Sequence, residues 1–236
     1  MKLALMGLLA MALIFGAYQA VEIIWGEPPT DRVLAIDGSH SFRSEVETCP
    51  EQLEPFVEAA VNDLSRLYVT SFANDALGRP WAYEEDFEAA YDKAHENDEV
   101  EQRTRGKWSD KHVTRVRATL HDIAEQAIQF DSVVLEQLER IGLALGDRGD
   151  RRLEVTFCSD GQIIDELVNV RRRFDQERAI HLWRPRLAGL DGATVRIHGF
   201  GRGLPADQTR RARQFLMALL PQVGVEKVDL DPGVER

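Results

Sequence analysis

Apolar residues in this chain are grouped in two ways. Short continuous runs rich in β-branched and aromatic residues predict buried strands, whereas apolar positions at three- and four-residue spacing predict amphipathic helices. Strands are predicted at residues 32–36, 67–72, 153–158, 194–198 and 225–230. Helices are predicted after Thr48 and over residues 84–96, 116–145, 163–174 and 207–220, with the polar stretch 97–110 as an exposed loop.

The order of these elements indicates the fold class. Strands that alternate with helices predict an α/β domain with a mainly parallel central sheet flanked by helices on both faces. The length of 236 residues is enough for one such domain, which we place at residues 32–236. In an open sheet of this kind, ligands bind beyond the carboxyl ends of the strands.

Residues 1–25 form a separate segment at the N-terminus. A positively charged start precedes an uncharged stretch over residues 3–21, rich in Leu, Ala and Met. This pattern predicts a signal peptide or an N-terminal membrane anchor formed by a hydrophobic helix, and residues 26–31 then form a polar linker. The anchor is favoured, because cleavage after Ala20 would put Tyr18 where such sites have a small residue. The chain is therefore predicted to be exported, either periplasmic or anchored in the cytoplasmic membrane by this segment.

Charge and cysteine content narrow the possible partners. The formal net charge of -11 argues against nucleic-acid binding, which needs a basic face. The run of arginines at residues 171–173 is interpreted as a solvated face of the predicted helix 163–174. In an exported chain Cys49 and Cys158 could form a disulfide bond, but a sequence does not fix the distance between two cysteines, so their pairing stays open.

Oxygen-bearing side chains stand at the predicted carboxyl ends of two strands and at the start of one helix. These residues are Asp37, Ser39 and Ser41 after the first strand, Thr114 at the helix, and Asp160 after the third strand. Carboxylate and hydroxyl oxygens suit Mg²⁺ or a similar hard cation rather than zinc or copper. In an alternative interpretation, the two aspartates cap helices and the serines satisfy amides in turns.

These residues resemble the pattern of a known family. The sequence Asp-Gly-Ser-His-Ser at 37–41, Thr114, and Ser-Asp-Gly at 159–161 resemble the Asp-x-Ser-x-Ser, Thr and Thr-Asp-Gly elements of the von Willebrand factor A (VWA) domain. Two further segments, residues 71–75 and 198–201, are similar to the ends of that family's second and fifth strands. The resemblance extends over nearly the whole of the predicted domain.

The resemblance implies a three-layer, Rossmann-like VWA fold with a metal-ion-dependent adhesion site (MIDAS). In such a site Ser39 and Ser41 would bind Mg²⁺ (or Mn²⁺ or Ca²⁺) directly, and Asp37 would act largely through water. Thr114 and Asp160 would exchange direct and water-mediated roles. The cation would in turn bind an Asp or Glu carboxylate of a partner protein, so the chain is expected to be a protein-protein interaction module and not an enzyme.

Alternatives to this interpretation stay open. The family's Gly-Gly before the Thr is absent at residues 111–113, which would make the loop that carries Thr114 stiffer. Thr104 or Thr119 could be the ligand instead, although only Thr114 has the right distance to the following helix positions. The chain could be a Mg²⁺-dependent hydrolase of phosphate esters, with Asp37 as nucleophile or base. It could also be a VWA-like scaffold whose metal site is vestigial.

Overall fold

A six-stranded sheet lies at the centre of the chain in the computed structural model, which describes residues 28–39, 41–42, 44–72, 81–94, 101–126 and 134–232. Its strands are β1 (Thr30–Ile36), β2 (Arg66–Ser71), β3 (Tyr83–Asp86), β4 (Arg152–Cys158), β5 (Thr194–His198) and β6 (Lys227–Asp231). They lie in the order β3-β2-β1-β4-β5-β6, and every neighbouring pair is parallel except β2 with β3. The mainly parallel sheet predicted from the sequence is confirmed.

Helices cover both faces of the sheet. They are α1 (Cys49–Asn62), α2 (Phe87–Ala94), α3 (Glu101–Gln126), α4 (Val134–Leu145), α5 (Gln176–Trp183) and α6 (Ala206–Leu219). Successive side chains of a strand point to opposite faces. Leu34 and Ile36 of β1 therefore join the core under α1 and α3, whereas Val33 and Ala35 join the core under α4, α5 and α6. The predicted arrangement of a sheet flanked by helices is thereby confirmed.

Strands β1 and β4 lie side by side in the middle of the sheet. The strand that follows β1 in sequence lies on one side of this pair, and the strand that follows β4 lies on the other. In a doubly wound sheet with this order, ligands bind between the carboxyl ends of the two strands at which the chain changes direction. Ile36 at the end of β1 is level with Ser71 of β2 and Cys158 of β4, so the three strands end together at one edge.

The segment predicted as a helix over residues 84–96 begins as a strand. Tyr83 to Asp86 form β3, which pairs antiparallel with β2 at the edge of the sheet, and the helix α2 begins only at Phe87. An edge strand with one neighbour need not bury a full apolar face. The sequence of β3 accordingly lacks the apolar run by which the other strands are predicted.

The prediction of a helix over residues 163–174 is wrong. This segment is a loop that turns back on itself through an antiparallel bridge between Ile164 and Asn169. At its tip the Asp165 carboxylate accepts hydrogen bonds from the N–H groups of Leu167 and Val168, at 2.6 and 2.7 Å. A short acidic side chain that bonds nearby amides in this way competes with helix formation, and the next helix begins only with α5.

The polar stretch predicted as an exposed loop over residues 97–110 is helical from Glu101 onwards. Its first half carries few apolar residues because much of that part of α3 faces solvent. An exposed helix without a continuous apolar stripe is not recognised by spacing alone. This error matters for the site, because it moves the start of the helix away from Thr114.

A disulfide bond joins Cys49, the first residue of α1, to Cys158, the last residue of β4. The two Cα atoms are 5.8 Å apart and both side chains are fully buried. The helix begins where the sequence predicts, with Pro50 in its first turn, but Thr48 makes no capping hydrogen bond to the helix amides. The bridge settles the pairing that the sequence left open and fixes α1 to the carboxyl edge of the sheet.

The N-terminal segment 1–25 lies outside the described residues. Within the part of the chain that is described, no helix is long and apolar enough to cross a membrane. The last two residues of the predicted linker, Thr30 and Asp31, belong to β1.

Candidate metal site

The ends of β1 and β4 place Asp37 and Ser159 next to each other. The Asp37 N–H donates to the carbonyl oxygen of Cys158 at 3.0 Å, which continues the ladder between the two strands by one residue. The Ser159 hydroxyl then donates to Oδ2 of Asp37 at 2.5 Å. Both side chains are fully buried, so the two strand ends are joined by a hydrogen bond that water does not weaken.

The loop after β1 turns sharply around the Asp37 carboxylate. The Ser39 N–H donates to Oδ1 of Asp37 at 2.8 Å, and the Ser39 and Ser41 hydroxyl oxygens are 3.2 Å apart. Ser39 is 1% exposed. Both carboxylate oxygens of Asp37 accept protein hydrogen bonds, so this residue holds the backbone of the loop after β1 and the Ser159 hydroxyl in place.

Asp160 is the residue whose hydrogen bonding is incomplete. Its side chain is fully buried, and Oδ1 accepts the Gln162 N–H at 2.8 Å. No donor among the described residues has hydrogen-bond geometry to Oδ2, which is buried as well, although the Ser41 hydroxyl lies close enough to favour the charged form of Asp160. A buried carboxylate oxygen without a partner is rare in folded proteins and costs free energy unless an ion or a water binds it.

The surroundings of Asp160 disfavour the charged form of its carboxyl group. Burial, and after it the nearby Asp37 carboxylate, raise the pKa of Asp160 to about 6, although the Gln162 N–H, the Ser41 hydroxyl and the Arg171 guanidinium act in the opposite direction. A carboxyl group in such surroundings is stabilised in its charged form by a cation. A positive charge beside Asp160, or a proton on it, would relieve this unfavourable interaction.

Together these residues form an oxygen cluster at the carboxyl edge of the sheet. It consists of the carboxylates of Asp37 and Asp160 and the hydroxyls of Ser39, Ser41 and Ser159. Among the described residues, no group of three or more His, Cys, Asp or Glu side chains could hold a metal ion. The cluster has only two carboxylates, and its remaining oxygens are hydroxyls, a donor set suited to a hard divalent cation.

The prediction that Thr114 opens a helix at this cluster is wrong. Thr114 lies in the middle of α3, its side chain is exposed, and its hydroxyl donates to the carbonyl oxygen of Asp110 at 2.7 Å. The alternative ligand Thr119 also lies within α3 and bonds the carbonyl oxygen of Arg115 at 3.1 Å. Thr104 lies in the first turn of the same helix, and its side chain is outside the described part of the structure.

The direction of α3 explains why Thr114 is remote from the cluster. Arg105 in the first part of α3 donates to the carbonyl oxygen of Asn62 at the end of α1. Nε2 of His121, in the last part of α3, is 3.7 Å from Oε1 of Glu51 near the start of α1. The two helices therefore run antiparallel, and only the last part of α3 lies level with the disulfide-bonded start of α1. At 1.5 Å per residue, Thr114 is roughly 10 Å further from that level than His121.

Sequence reasoning did not assign a role to Ser159 and Gln162. Ser159 holds Asp37, and its hydroxyl also accepts the Gly161 N–H at 2.9 Å. Gln162 holds Asp160 through its backbone amide. Strand pairing could have identified Ser159. If β1 and β4 are neighbouring parallel strands that end at the same level, the residue after β4 lies beside the residue after β1.

Gly161 gives a prediction about how tightly the loop after β4 is packed. Its φ is +71°, and an added Cβ would lie 2.4 Å from Cδ2 of Phe200, which is 2% exposed. Gly161→Ala is expected to lower the free energy of unfolding by about 3 kcal/mol, from backbone strain and overpacking together. Urea unfolding monitored by tryptophan fluorescence measures this loss.

Gly149→Ala is the matched control for Gly161→Ala. Gly149 has a similar φ of +63°, but nothing lies within 4 Å of the added Cβ. Only the backbone strain applies there, so the expected loss is about 1 kcal/mol. Equal losses in the two variants would contradict the close contact of Gly161 with Phe200.

Comparison with known proteins supports the fold but not a family. No protein-family model and no curated protein matches the chain. A solved structure with a similar fold is a mutant of the PilB minor pilin from Streptococcus sanguinis, with a TM-score of 0.54 and 10% sequence identity over 88% of this chain. The chain spans 58% of the length of that pilin chain. At this identity the likeness concerns the fold alone.

Proposed function

We propose that this chain is a VWA-like, metal-dependent interaction module that binds Mg²⁺ at the oxygen cluster and, through the cation, a carboxylate of a partner protein. The observation that supports it best is the buried Oδ2 of Asp160, for which the described residues offer no hydrogen bond. This oxygen belongs to a cluster of hydroxyls and carboxylates at the edge where doubly wound sheets bind their ligands.

Each residue of the cluster has a separate role in this proposal. Ser39, Ser41 and Asp160 would hold the cation, while Asp37 accepts the Ser39 N–H and the Ser159 hydroxyl and so fixes the loop after β1. Hydroxyl ligands are neutral, so a bound Mg²⁺ would keep positive charge for a further oxygen ligand from a partner. Mg²⁺ commonly keeps exchangeable water ligands, which such a carboxylate can replace.

Export of the chain is part of the same proposal. The buried disulfide bond between Cys49 and Cys158 is typical of proteins that fold in an oxidising compartment. The apolar stretch over residues 3–21 is consistent with a signal peptide or a membrane anchor. We therefore place the module in the periplasm or on the outer face of the cytoplasmic membrane.

Binding of a synthetic peptide with a single central Asp tests this function. The full chain is expected to bind the peptide in Mg²⁺ and to lose it in EDTA, as measured by fluorescence anisotropy. Ser39→Ala removes one ligand and should weaken Mg²⁺-dependent binding at least about tenfold, since a hydroxyl ligand contributes of the order of 1.4 kcal/mol. Thr114→Ala, which removes an exposed hydroxyl on α3, should bind as the wild type does.

Two results would contradict the proposal. Peptide binding that is equal in Mg²⁺ and in EDTA would show that no cation takes part. Turnover of p-nitrophenyl phosphate that is lost in Asp37→Asn would favour the phosphate-ester hydrolase instead.

A further inference from the structure

Three consecutive arginines, Arg171, Arg172 and Arg173, lie in the loop that leads away from the oxygen cluster after β4, and we call this set the basic rim. The loop after β4 folds back on itself, so that the Val170 N–H donates to the carbonyl oxygen of Ile163 at 3.1 Å. Nη2 of Arg171 then donates to Oε1 of Gln162 at 2.9 Å, and Gln162 holds Asp160. Arg171 therefore lies beside the site, and Arg172 and Arg173 follow it in the same exposed loop, not on the helix face that the sequence predicted.

The basic rim consists of three adjacent positive charges without an acidic partner among the described residues. Several arginines elsewhere pair with a carboxylate, namely Arg32, Arg66, Arg115, Arg117, Arg151, Arg186, Arg196, Arg202 and Arg211. For Arg171, Arg172 and Arg173, no carboxylate of the described residues lies within ion-pair distance, and all three side chains are exposed. In a chain with a net charge of -11, this leaves a local concentration of positive charge at the site.

Arg171 joins the basic rim to the cluster. Its guanidinium donates to the side chain of Gln162, whose backbone N–H donates to Asp160, so the positive charge lies next to the residues that would hold the cation. An acidic segment that approaches the cluster would meet this positive charge before it reaches the cation. Exposed charges of this kind steer association and discriminate between partners more than they add affinity.

We propose that the basic rim selects partner segments in which the carboxylate that binds the cation is flanked by further acidic residues. This inference rests on the proposed function, because the central carboxylate must first have a cation to bind. The partner is thus a protein segment rich in Asp and Glu. The exposed guanidinium groups of Arg172 and Arg173 would contact the flanking acids, while Arg171 also positions Gln162.

Two synthetic peptides with the same central Asp test the inference, one with Glu flanks and one with Lys flanks. In Mg²⁺ and low salt, the full chain is expected to bind the Glu-flanked peptide at least about tenfold more tightly, a preference that shrinks at high ionic strength. The double variant Arg172→Glu with Arg173→Glu should lose this preference while its Mg²⁺-dependent thermal shift stays unchanged. The matched control is Arg184→Glu with Lys227→Glu, which reverses two exposed charges near the opposite edge of the sheet and should keep the preference.

The possible outcomes distinguish the role of the basic rim from the proposed metal-dependent function. Equal affinity of the wild type for the two peptides, or an equal loss in the rim variant and its control, would overturn the role of the basic rim but leave the metal-dependent function standing. No effect of Mg²⁺ on the wild type, in thermal shift or in peptide binding, would overturn the proposed function and the rim together.

Discussion

In EDTA at pH 8, Asp160→Asn is expected to be more stable than the wild-type protein. The wild type carries a buried carboxylate beside Asp37, and its pKa of about 6 means that charging it in the folded protein is unfavourable. Asparagine keeps the oxygen that accepts the Gln162 N–H and replaces the unpaired Oδ2 by a donor. Mutation of a proposed ligand should therefore stabilise the metal-free protein while removing Mg²⁺ binding.

The pH dependence follows from the direction of the shift. The pKa of Asp160 is higher in the folded protein, at about 6, than its ordinary value of 3.8. Between these two pH values the folded protein binds more protons than the unfolded chain, so its stability falls as the pH rises through about 6. From pH 4 to pH 8 the wild type should lose about 2 kcal/mol relative to Asp160→Asn. Urea unfolding in EDTA across this range measures the difference.

Mg²⁺ should reverse this order at pH 8. A ligand that binds only the folded protein stabilises it by mass action, so the midpoint of thermal unfolding should rise with Mg²⁺ in the wild type and stay constant in Asp160→Asn. If Asp160→Asn is less stable than the wild type in EDTA at pH 8, the charged carboxylate of Asp160 does not destabilise the metal-free protein, and this account is contradicted.

Loss of the disulfide bond is expected to have the largest effect on stability. The bridge joins residues 109 positions apart, so it restricts the unfolded chain strongly. Reduction should lower the free energy of unfolding by about 4 kcal/mol, as expected for a closed loop of that length. Because Cys158 immediately precedes Ser159, reduction should also weaken Mg²⁺ binding through movement of the strand end.

Urea unfolding with and without a reductant measures the contribution of the bridge. The double variant Cys49→Ala with Cys158→Ala provides the control, because its stability should be low and insensitive to the reductant. Wild-type protein with two titratable thiols but unchanged stability would contradict the stabilising role of the bond.

The sequence was sufficient to predict the central strands. β1 and β4 end in continuous runs that are buried on both faces, β5 alternates between buried and half-buried residues, and the positions of all three agree with the prediction to within two residues. Asp37 and Asp160 follow two of these strands, so their proximity could be inferred once a parallel sheet was assumed. The two residues indeed lie close enough for Asp37 to raise the pKa of Asp160.

Features that depend on distant contacts could not be predicted in the same way. β3 exists because β2 offers a free edge, although Tyr-Glu-Glu-Asp has little strand character of its own. The start of α3 is polar, so apolar spacing predicts a later start of the helix and puts Thr114 at its first turn, whereas the helix begins at Glu101. Asp165 and the Ile164–Asn169 bridge turn the segment after β4 into a loop, and this moves the arginines to the rim of the site.

Calorimetric titration of the full chain with Mg²⁺, and in parallel with Mn²⁺ and Ca²⁺, at pH 7.5 tests the metal site most directly. We predict one divalent ion per chain for the wild type and for Thr114→Ala, and no binding for Asp160→Asn. If none of the three ions gives a heat of binding with the wild type, or if Asp160→Asn binds as the wild type does, the oxygen cluster is not a metal site.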